Sequence, residues 1–412
     1  MKLEIDRDRL LSEIEALALI SDGEAPAVTR IVFTPTDLKA RAWLGARCEE
    51  AGLRLRQDGI GNMFARWRGS DPEAPVVGTG SHIDAIPNAG KYDGVVGVLG
   101  GLEAIRALQR SGFHPTNSIE LLVFTSEEPT RFGIGCLGSR LLAGSLSAEA
   151  AGRLKDSEGQ TVEEVRRTAG LHGELDEVKL PEGYYKAFVE LHIEQGPLLE
   201  RQQIPLGVVT KIAAPASMRI SIEGAGGHAG GVLMADRRDA LCAAAELILA
   251  IENAARSSGS VDTIATVGMC EVFPGAVNSI PSRVRISVDV RDTDPARRDG
   301  VIKAMENARD AIATRRRVTI HTEVVNADAP AECAAAVVQA LSDACVKHGQ
   351  KFLPMISRAY HDSLFMSRVT QAAMLFIPCR NGYSHRPDEY ASPEDIARGT
   401  LVLAEALATL SA

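Results

Sequence analysis

The sequence predicts a two-domain α/β protein, in which a mixed-sheet domain is interrupted by a smaller insertion of order β-α-β-β-α-β. Three observations predict it. Apolar runs suited to buried strands stop abruptly in polar or glycine-rich segments, with helical stretches between them. A different texture, alternating with period two, fills the region from about Ala213 to Ala327. The chain has 412 residues, well beyond the roughly 250 at which one core usually divides.

Taken in order, Pro75–Gly80 (PVVGTG), Ile119–Thr125 (IELLVFT), Ala187–Ile193 (AFVELHI) and Ala373–Pro378 (AMLFIP) read as strands. Val95, Leu99, Leu102 and Ile105 form an i, i+4, i+7, i+10 stripe, a helix lying on the sheet just after the segment Ser81–Asp93. Met218, Ile220 and Ile222 alternate with polar residues, as do Val284, Ile286, Val288 and Val290, giving two strands with one buried face. Around them lie a helix at Ala235–Arg256, a strand at Thr263–Val272, a helix at Pro295–Ala313 and a strand at Val318–Val324. This is the split βαβ order. The insertion therefore spans 213–327, and the larger domain is discontinuous, 1–212 with 328–412.

Composition excludes several classes. With 45 basic against 54 acidic residues, a net charge of −9 and only 4% aromatics, the chain lacks the clustered cations and stacking rings of a nucleic-acid surface. No apolar run reaches the roughly 20 residues of a membrane span, and the first ten residues alternate charge with aliphatics instead of forming a signal peptide. A cytoplasmic location is expected. Cys48, Cys136, Cys242, Cys270, Cys333, Cys345 and Cys379 are scattered with no C-x-x-C spacing and read as reduced thiols.

Chemistry collects where the strands end. The loop Gly80–Gly94 carries His82, Asp84 and Asp93; Ile119–Thr125 delivers Glu127 and Glu128; Ala187–Ile193 contains His192 and leads into Glu194 and Gln195; Ala373–Pro378 runs on to Tyr383, Ser384 and His385. In open α/β sheets ligands bind at these carboxyl ends. Imidazoles and carboxylates without thiolates suit zinc, manganese or cobalt. Two adjacent divalent ions bridged by one carboxylate would account for so many donors, activating a water and polarising a carbonyl. Of Glu127 and Glu128, one would bind metal and the other serve as general acid/base. A single strand-end histidine is commonly structural; the repetition at four strand ends is what argues for a hydrolytic dinuclear site.

The motifs GSHIDAIPNAGKYDGVVGVLGGLEA (80–104), FTSEEPTRFGIGCLGSRLLAG (124–144), ELHIEQGPLLE (190–200), GAGGHAGGVLMADRRDA (224–240), AVNSIPSRVRISVDVRD (276–292) and GYSHRPDEY (382–390) resemble the M20 metallopeptidase-like amidohydrolases. The branch they resemble contains N-carbamoyl-L-amino-acid, allantoate and ureidoglycolate amidohydrolases. The resemblance implies a catalytic domain with a dinuclear site and an inserted ferredoxin-like domain that dimerises and acts as a lid. It implies that His82 and His192 hold one metal, Glu128 and His385 the other, and Asp93 bridges them. Glu127 would be the general acid/base and Asp84 the carboxylate that orients His82. His228 would reach into the partner's site in a homodimer and stabilise the oxyanion, while Asn278 and Arg291 would hold a substrate carboxylate. Two divalent ions per subunit are implied, manganese first, with zinc, cobalt or nickel as alternatives.

Substrate choice turns on departures from the commoner motifs of that branch. Ser357-Arg358-Ala359-Tyr360-His361-Asp362-Ser363 replaces a run rich in glycine and alanine, and Gly231-Val232-Leu233 follows His228-Ala229-Gly230 where Thr-Thr-Pro is usual. These variants resemble ureidoglycolate amidohydrolases, and arginine with tyrosine suits a short, polar, carboxylate-bearing ureido substrate. His361 would hydrogen-bond the ureido group; Tyr360 would do the same or simply pack; Gln195 would touch substrate or support the site. The expected reaction is hydrolysis of (S)-ureidoglycolate, with N-carbamoyl-L-amino acids or allantoate as alternative substrates. Retention of Glu127 beside every metal position argues against a non-catalytic ureido-binding dimer. His114, His172, His321 and His348 are left as surface residues.

Overall fold

The computed structural model describes residues 2–412. The chain separates into two compact units. One comprises the residues up to Thr210 with Glu332–Ser357 and His361–Ala412, the other Lys211–Ala331 with Arg358–Tyr360.

The first unit is a mixed α/β fold. Across its sheet lie, in spatial order, Leu206–Ile212, Gln371–Ile377, Tyr185–Ile193, Val76–His82, Ile119–Phe124, Met63–Trp67 and Arg54–Gln57. The four from Gln371–Ile377 to Ile119–Phe124 are mutually parallel, and the strands outside them pair antiparallel. Successive residues of a strand face opposite sides. Leu121 and Val123 join one core with Leu99, Leu102 and Leu403, whereas Leu122 and Phe124 join another with Phe188 and Leu141. Burial on both faces is why these strands read as continuous apolar runs. The Val76–His82 strand extends two residues past the expected Gly80, which places His82 within it. The helix carrying Val95, Leu99, Leu102 and Ile105 spans Val95–Arg110.

The second unit contains an antiparallel sheet of Ile264–Phe273, Arg283–Asp292, Ala214–Glu223 and Thr319–Ala327, in that spatial order. Met218, Ile220, Ile222, Val284, Ile286, Val288 and Val290 all enter one core with Leu247 and Met305 from helices Ala240–Arg256 and Pro295–Arg316. The first of these helices starts later than the expected Ala235. Asp239 accepts from the backbone N–H groups of Leu241 (2.9 Å) and Cys242 (3.1 Å), a strong N-cap that fixes the start. The last strand outruns Val324 because a register shift between Val324 and Asn326 lets pairing continue. Among the described residues no helix is long and apolar enough to cross a membrane.

One buried cation ties the N-terminal helix Arg7–Ala18 to the strand that carries His82. The Arg30 side chain donates to the carbonyls of Leu17 (2.6 Å), Ile20 (2.8 and 3.0 Å) and Ile83 (2.6 Å). Two of these carbonyls lie at the helix C-terminus, where acceptors otherwise lack partners. Burial lowers the Arg30 pKa to about 10, so the side chain stays charged at neutral pH. Arg30→Met would strip the side-chain donors from three carbonyls, of which that of Leu17 keeps the Ile20 N–H, and is expected to cost about 2 kcal/mol or more, read as a lower urea midpoint with an unchanged slope.

Candidate active site

Because the four central strands are parallel, their C-terminal ends share one edge of the sheet. His82 lies in register with Phe124, three residues before Glu127, and His192 lies in register with Phe376. The backbone is strained at this edge. Ser126, Gln195 and His385 adopt φ of 56°, 53° and 61°, left-handed conformations that cost non-glycine residues about 1 kcal/mol or more each. Gly94 (φ 67°) cannot be replaced without damage, since a Cβ there would lie 2.5 Å from His82 Nε2.

Asp93 is where the donors meet. Its Oδ1 lies 3.1 Å from His192 Nε2 and 3.7 Å from His82 Nε2, while its Oδ2 lies 3.3 Å from His385 Nε2. His385 Nε2 is in turn 3.1 Å from Glu128 Oε1. Two sets of possible metal donors result, His82/Asp93/His192 and Asp93/Glu128/His385, each with its atoms within 4.8 Å of one another. Donors sharing a tetrahedral ion at bonds of about 2.1 Å stand about 3.4 Å apart, which matches these spacings. A third set, Glu190/His192/His361, adjoins the first through His192.

The charge balance also fits cations. Asp84, Asp93, Glu127, Glu128, Glu190, Asp362 and Glu389 are all buried, and so many carboxylates need positive charge among them. Burial, reinforced by Glu128, Asp362, Asp84 and Asp93, holds the Glu127 carboxyl well above the usual range. Burial and then the Glu190 charge do the same to Asp362. Burial pushes Asp84 up to about 6 and, with the Asp93 charge, Glu389 up to about 7. Burial alone would lower His192, but its hydrogen bond to Asp93 and the Asp93 charge outweigh that and raise it to about 9. Hydrogen bonds to Asp93 and Glu128 raise His385 to about 11. The same two histidines, against burial, hold Asp93 well below the carboxylate range.

Neighbouring groups fix the orientation of these donors. The His82 ring is held through Nδ1 by the backbone carbonyl of Asp84 at 3.0 Å, whereas the Asp84 carboxylate is 3.7 Å away. That carboxylate instead accepts from the N–H groups of Glu127 (3.2 Å) and Glu128 (3.1 Å), so it orients the acidic pair more directly than the imidazole. His192 Nδ1 bonds the carbonyl of Ile193 at 2.9 Å, which turns Nε2 toward Asp93. Gln195 Nε2 donates to Asp93 Oδ2 at 2.6 Å. Glu194 accepts from Leu198 and Leu199 N–H, both at 2.8 Å, and thereby caps the next helix.

The first unit thus brings together His82, Asp84, Asp93, Glu127, Glu128, His192, Gln195 and His385, with buried His361 4.4 Å from His192 between ring centres. His228, Asn278, Arg291 and Tyr360 belong to the second unit. There Arg291 pairs with Asp289 at 2.6 Å and lies 5.3 Å over the Tyr360 ring. His348, expected as a plain surface residue, is hydrogen-bonded through Nε2 to Glu405 at 3.1 Å. Sequence reasoning missed Glu389 and Glu190, and placed Ser384 at the site without a role. Glu389 accepts from Tyr92 N–H (2.8 Å), Asp93 N–H (3.1 Å) and Ser384 Oγ (2.8 Å), and Ser384 also bonds Asp93 Oδ2. No local pattern links residues almost 300 positions apart. Glu190 did carry a signal, as an acid inside an apolar strand.

The profile of the peptidase family M20/M25/M40 matches residues 78–409. The chain is 50% identical over 416 residues to ureidoglycolate hydrolase of Arabidopsis thaliana, spanning 99% of this chain and 87% of that protein. It is 38% identical over 404 residues to N-carbamoyl-L-amino acid amidohydrolase of Geobacillus stearothermophilus, spanning 97% of each. The crystal structures of AtUAH in complex with (S)-hydroxyglycine and with glyoxylate each match with a TM-score of 0.94 at 50% identity, covering 99% of this chain and 98% of theirs.

The pKa shifts set a testable pH dependence. Asp84, Glu127, Glu389, His192 and His385 all bind protons more tightly than in an unfolded chain. Their contribution is therefore present at low pH and is lost as pH rises from about 4 to about 11, the value to which His385 is raised. Chelator-treated protein is expected to melt at a lower temperature at pH 9 than at pH 6. Saturating divalent metal should flatten or reverse this trend, because its ligands must deprotonate to bind. Thermal scans across that range check both.

Proposed function

The chain belongs to the peptidase family M20/M25/M40, and from that premise we propose that it is a hydrolase cleaving the ureido C–N bond of (S)-ureidoglycolate. One observation carries the substrate assignment. Identity to the Arabidopsis ureidoglycolate hydrolase is 50% along 99% of the chain, against 38% to the Geobacillus carbamoylase at nearly the same coverage. The match to AtUAH, solved with (S)-hydroxyglycine and with glyoxylate, supports the same substrate.

His82 and His192 with Asp93 Oδ1 would hold one divalent ion, and Glu128 and His385 with Asp93 Oδ2 a second. Manganese is the ion the family resemblance implies. When bound, such ions lower the pKa of a water and polarise the carbonyl under attack. Glu127 takes the proton from the attacking water and returns it to the leaving nitrogen; the burial that raises its pKa suits that return. Ammonia leaves from the terminal nitrogen, the N-carboxylated aminohydroxyacetate left behind loses carbon dioxide, and the resulting aminohydroxyacetate breaks down to glyoxylate and a second ammonia. His361 and Gln195 contact the ureido group. Gln195 Oε1 is buried without a hydrogen-bond partner, which suits it to a ureido N–H.

The second unit is read as a ferredoxin-like lid and dimerisation domain, a reading supported by its sheet order and two helices. His228 of the partner subunit would stabilise the oxyanion. Its Nδ1 accepts from Gly230 N–H at 3.1 Å, which leaves Nε2–H as the donor such a role needs. Asn278 and Arg291 would hold the substrate carboxylate, with Asp289 orienting the guanidinium and Tyr360 beneath it. Free cysteines support a reducing, cytoplasmic compartment.

A substrate panel tests the assignment. With manganese-loaded enzyme, ureidoglycolate should be turned over far faster than allantoate or N-carbamoyl amino acids, and the opposite ranking would overturn the reading. The shared site has its own test. Glu127→Gln chains should keep metal yet lose about 100-fold or more in kcat. Mixing them with His228→Ala chains should restore activity, because one site of each heterodimer then has both wild-type groups. No recovery in proven heterodimers would remove the trans role.

A further inference from the structure

Cys136 is fully buried, has no disulfide partner and takes no part in the reaction just described. Its environment is nevertheless tied to that reaction. The backbone N–H of Cys136 donates to the Glu127 carbonyl at 2.8 Å, and Leu137 and Gly138 donate to Ser126 and Thr125 at 2.9 Å each. Cys136 is thus the N-cap of the helix Leu137–Leu142, whose first N–H groups bond the segment that presents the acidic pair. At Cys136 the chain takes the left-handed conformation, φ 57°, which a non-glycine residue adopts only when its surroundings hold it there. That turn aims the side chain back at the base, with Sγ 3.3 Å from Glu127 Oε1. The other carboxylate oxygen, Oε2, is 3.7 Å from His82 Nε2.

The two oxygens of Glu127 are thus differentiated. We propose that Cys136 is a positioning residue for the general acid/base: its S–H holds Glu127 Oε1, so that Oε2 faces the donor cluster and carries the proton. The proposal rests on the assignment of Glu127 as the base. A carboxylate on a flexible stem populates several rotamers, and a donor fixed by backbone hydrogen bonds selects one of them. The thiol remains a donor at working pH, because burial and then the charges of Glu127 and Asp362 keep its pKa well above the ordinary thiol range. Asp362 is a second acceptor beside the thiol, and its Oδ1 accepts from Ser139 Oγ.

Serine and alanine at 136 separate this role from packing, since they have nearly the same bulk and only serine donates. Cys136→Ala is expected to lower kcat about tenfold or more, with KM within about twofold and metal content unchanged. Cys136→Ser should recover most of that loss. Equal kcat in the two variants, with Glu127→Gln inactive, would overturn the role of the thiol alone. Full turnover in Glu127→Gln would overturn the base assignment and this proposal together. Should both cysteine variants fail to fold, the S–H stretch decides: the infrared difference between wild type and Glu127→Gln should show one displaced S–H band, and its absence rules the hydrogen bond out.

Discussion

The site depends on the division of one carboxylate. Asp93 turns Oδ1 toward His82 and His192 and Oδ2 toward His385, so two donor groups meet without a second bridging residue. That division survives only if the carboxylate cannot rotate. Its own N–H and that of Tyr92 are pinned by Glu389, and Oδ2 is pinned by Gln195 and Ser384. These partners come from three strand ends, those of Val76–His82, Tyr185–Ile193 and Gln371–Ile377, or from the loops that follow them. The parallel arrangement of the four central strands is therefore a condition of the chemistry as well as of the fold.

Placing the donors this way concentrates negative charge where water is scarce. Strained backbone at Ser126, Gln195 and His385 and the raised pKa values of Asp84, Glu127 and Glu389 share that origin. Packing around the site compensates. Both faces of the sheet are covered by apolar cores, and the nearby cation Arg30 is used on backbone carbonyls, so it does not neutralise the carboxylates. The donors remain electrostatically unsatisfied among themselves, the condition under which a site selects divalent cations.

Much of this was legible because burial writes itself into composition. Ile119–Phe124 and Gln371–Ile377 are buried on both faces and read as unbroken apolar runs, and Met218, Ile220 and Ile222 alternate because their sheet has one core. Strand ends followed by His82, Glu127, His192 and His385 marked the site for the same reason. What stayed hidden was set by tertiary contact. The capping role of Glu194, the grip of Glu389 on Asp93 and the turn that brings Cys136 to Glu127 have no signature in local sequence. The Asp84 case is subtler: its position was evident, but whether its carbonyl or its carboxylate meets His82 is a matter of backbone geometry.

The strand Gln371–Ile377 lies between Leu206–Ile212 and Tyr185–Ile193, although it follows them by more than 150 positions in the chain. During synthesis the ribosome must therefore release the whole insertion before the middle of the main sheet can be filled and His385 delivered. Until then Tyr185–Ile193 presents an open parallel edge, apolar on both faces, of the kind that invites wrong pairing. The antiparallel insertion draws all its strands from residues already released and can close its own core during that wait. Nascent chains stalled between residues 330 and 370 are thus the ones most in need of a chaperone.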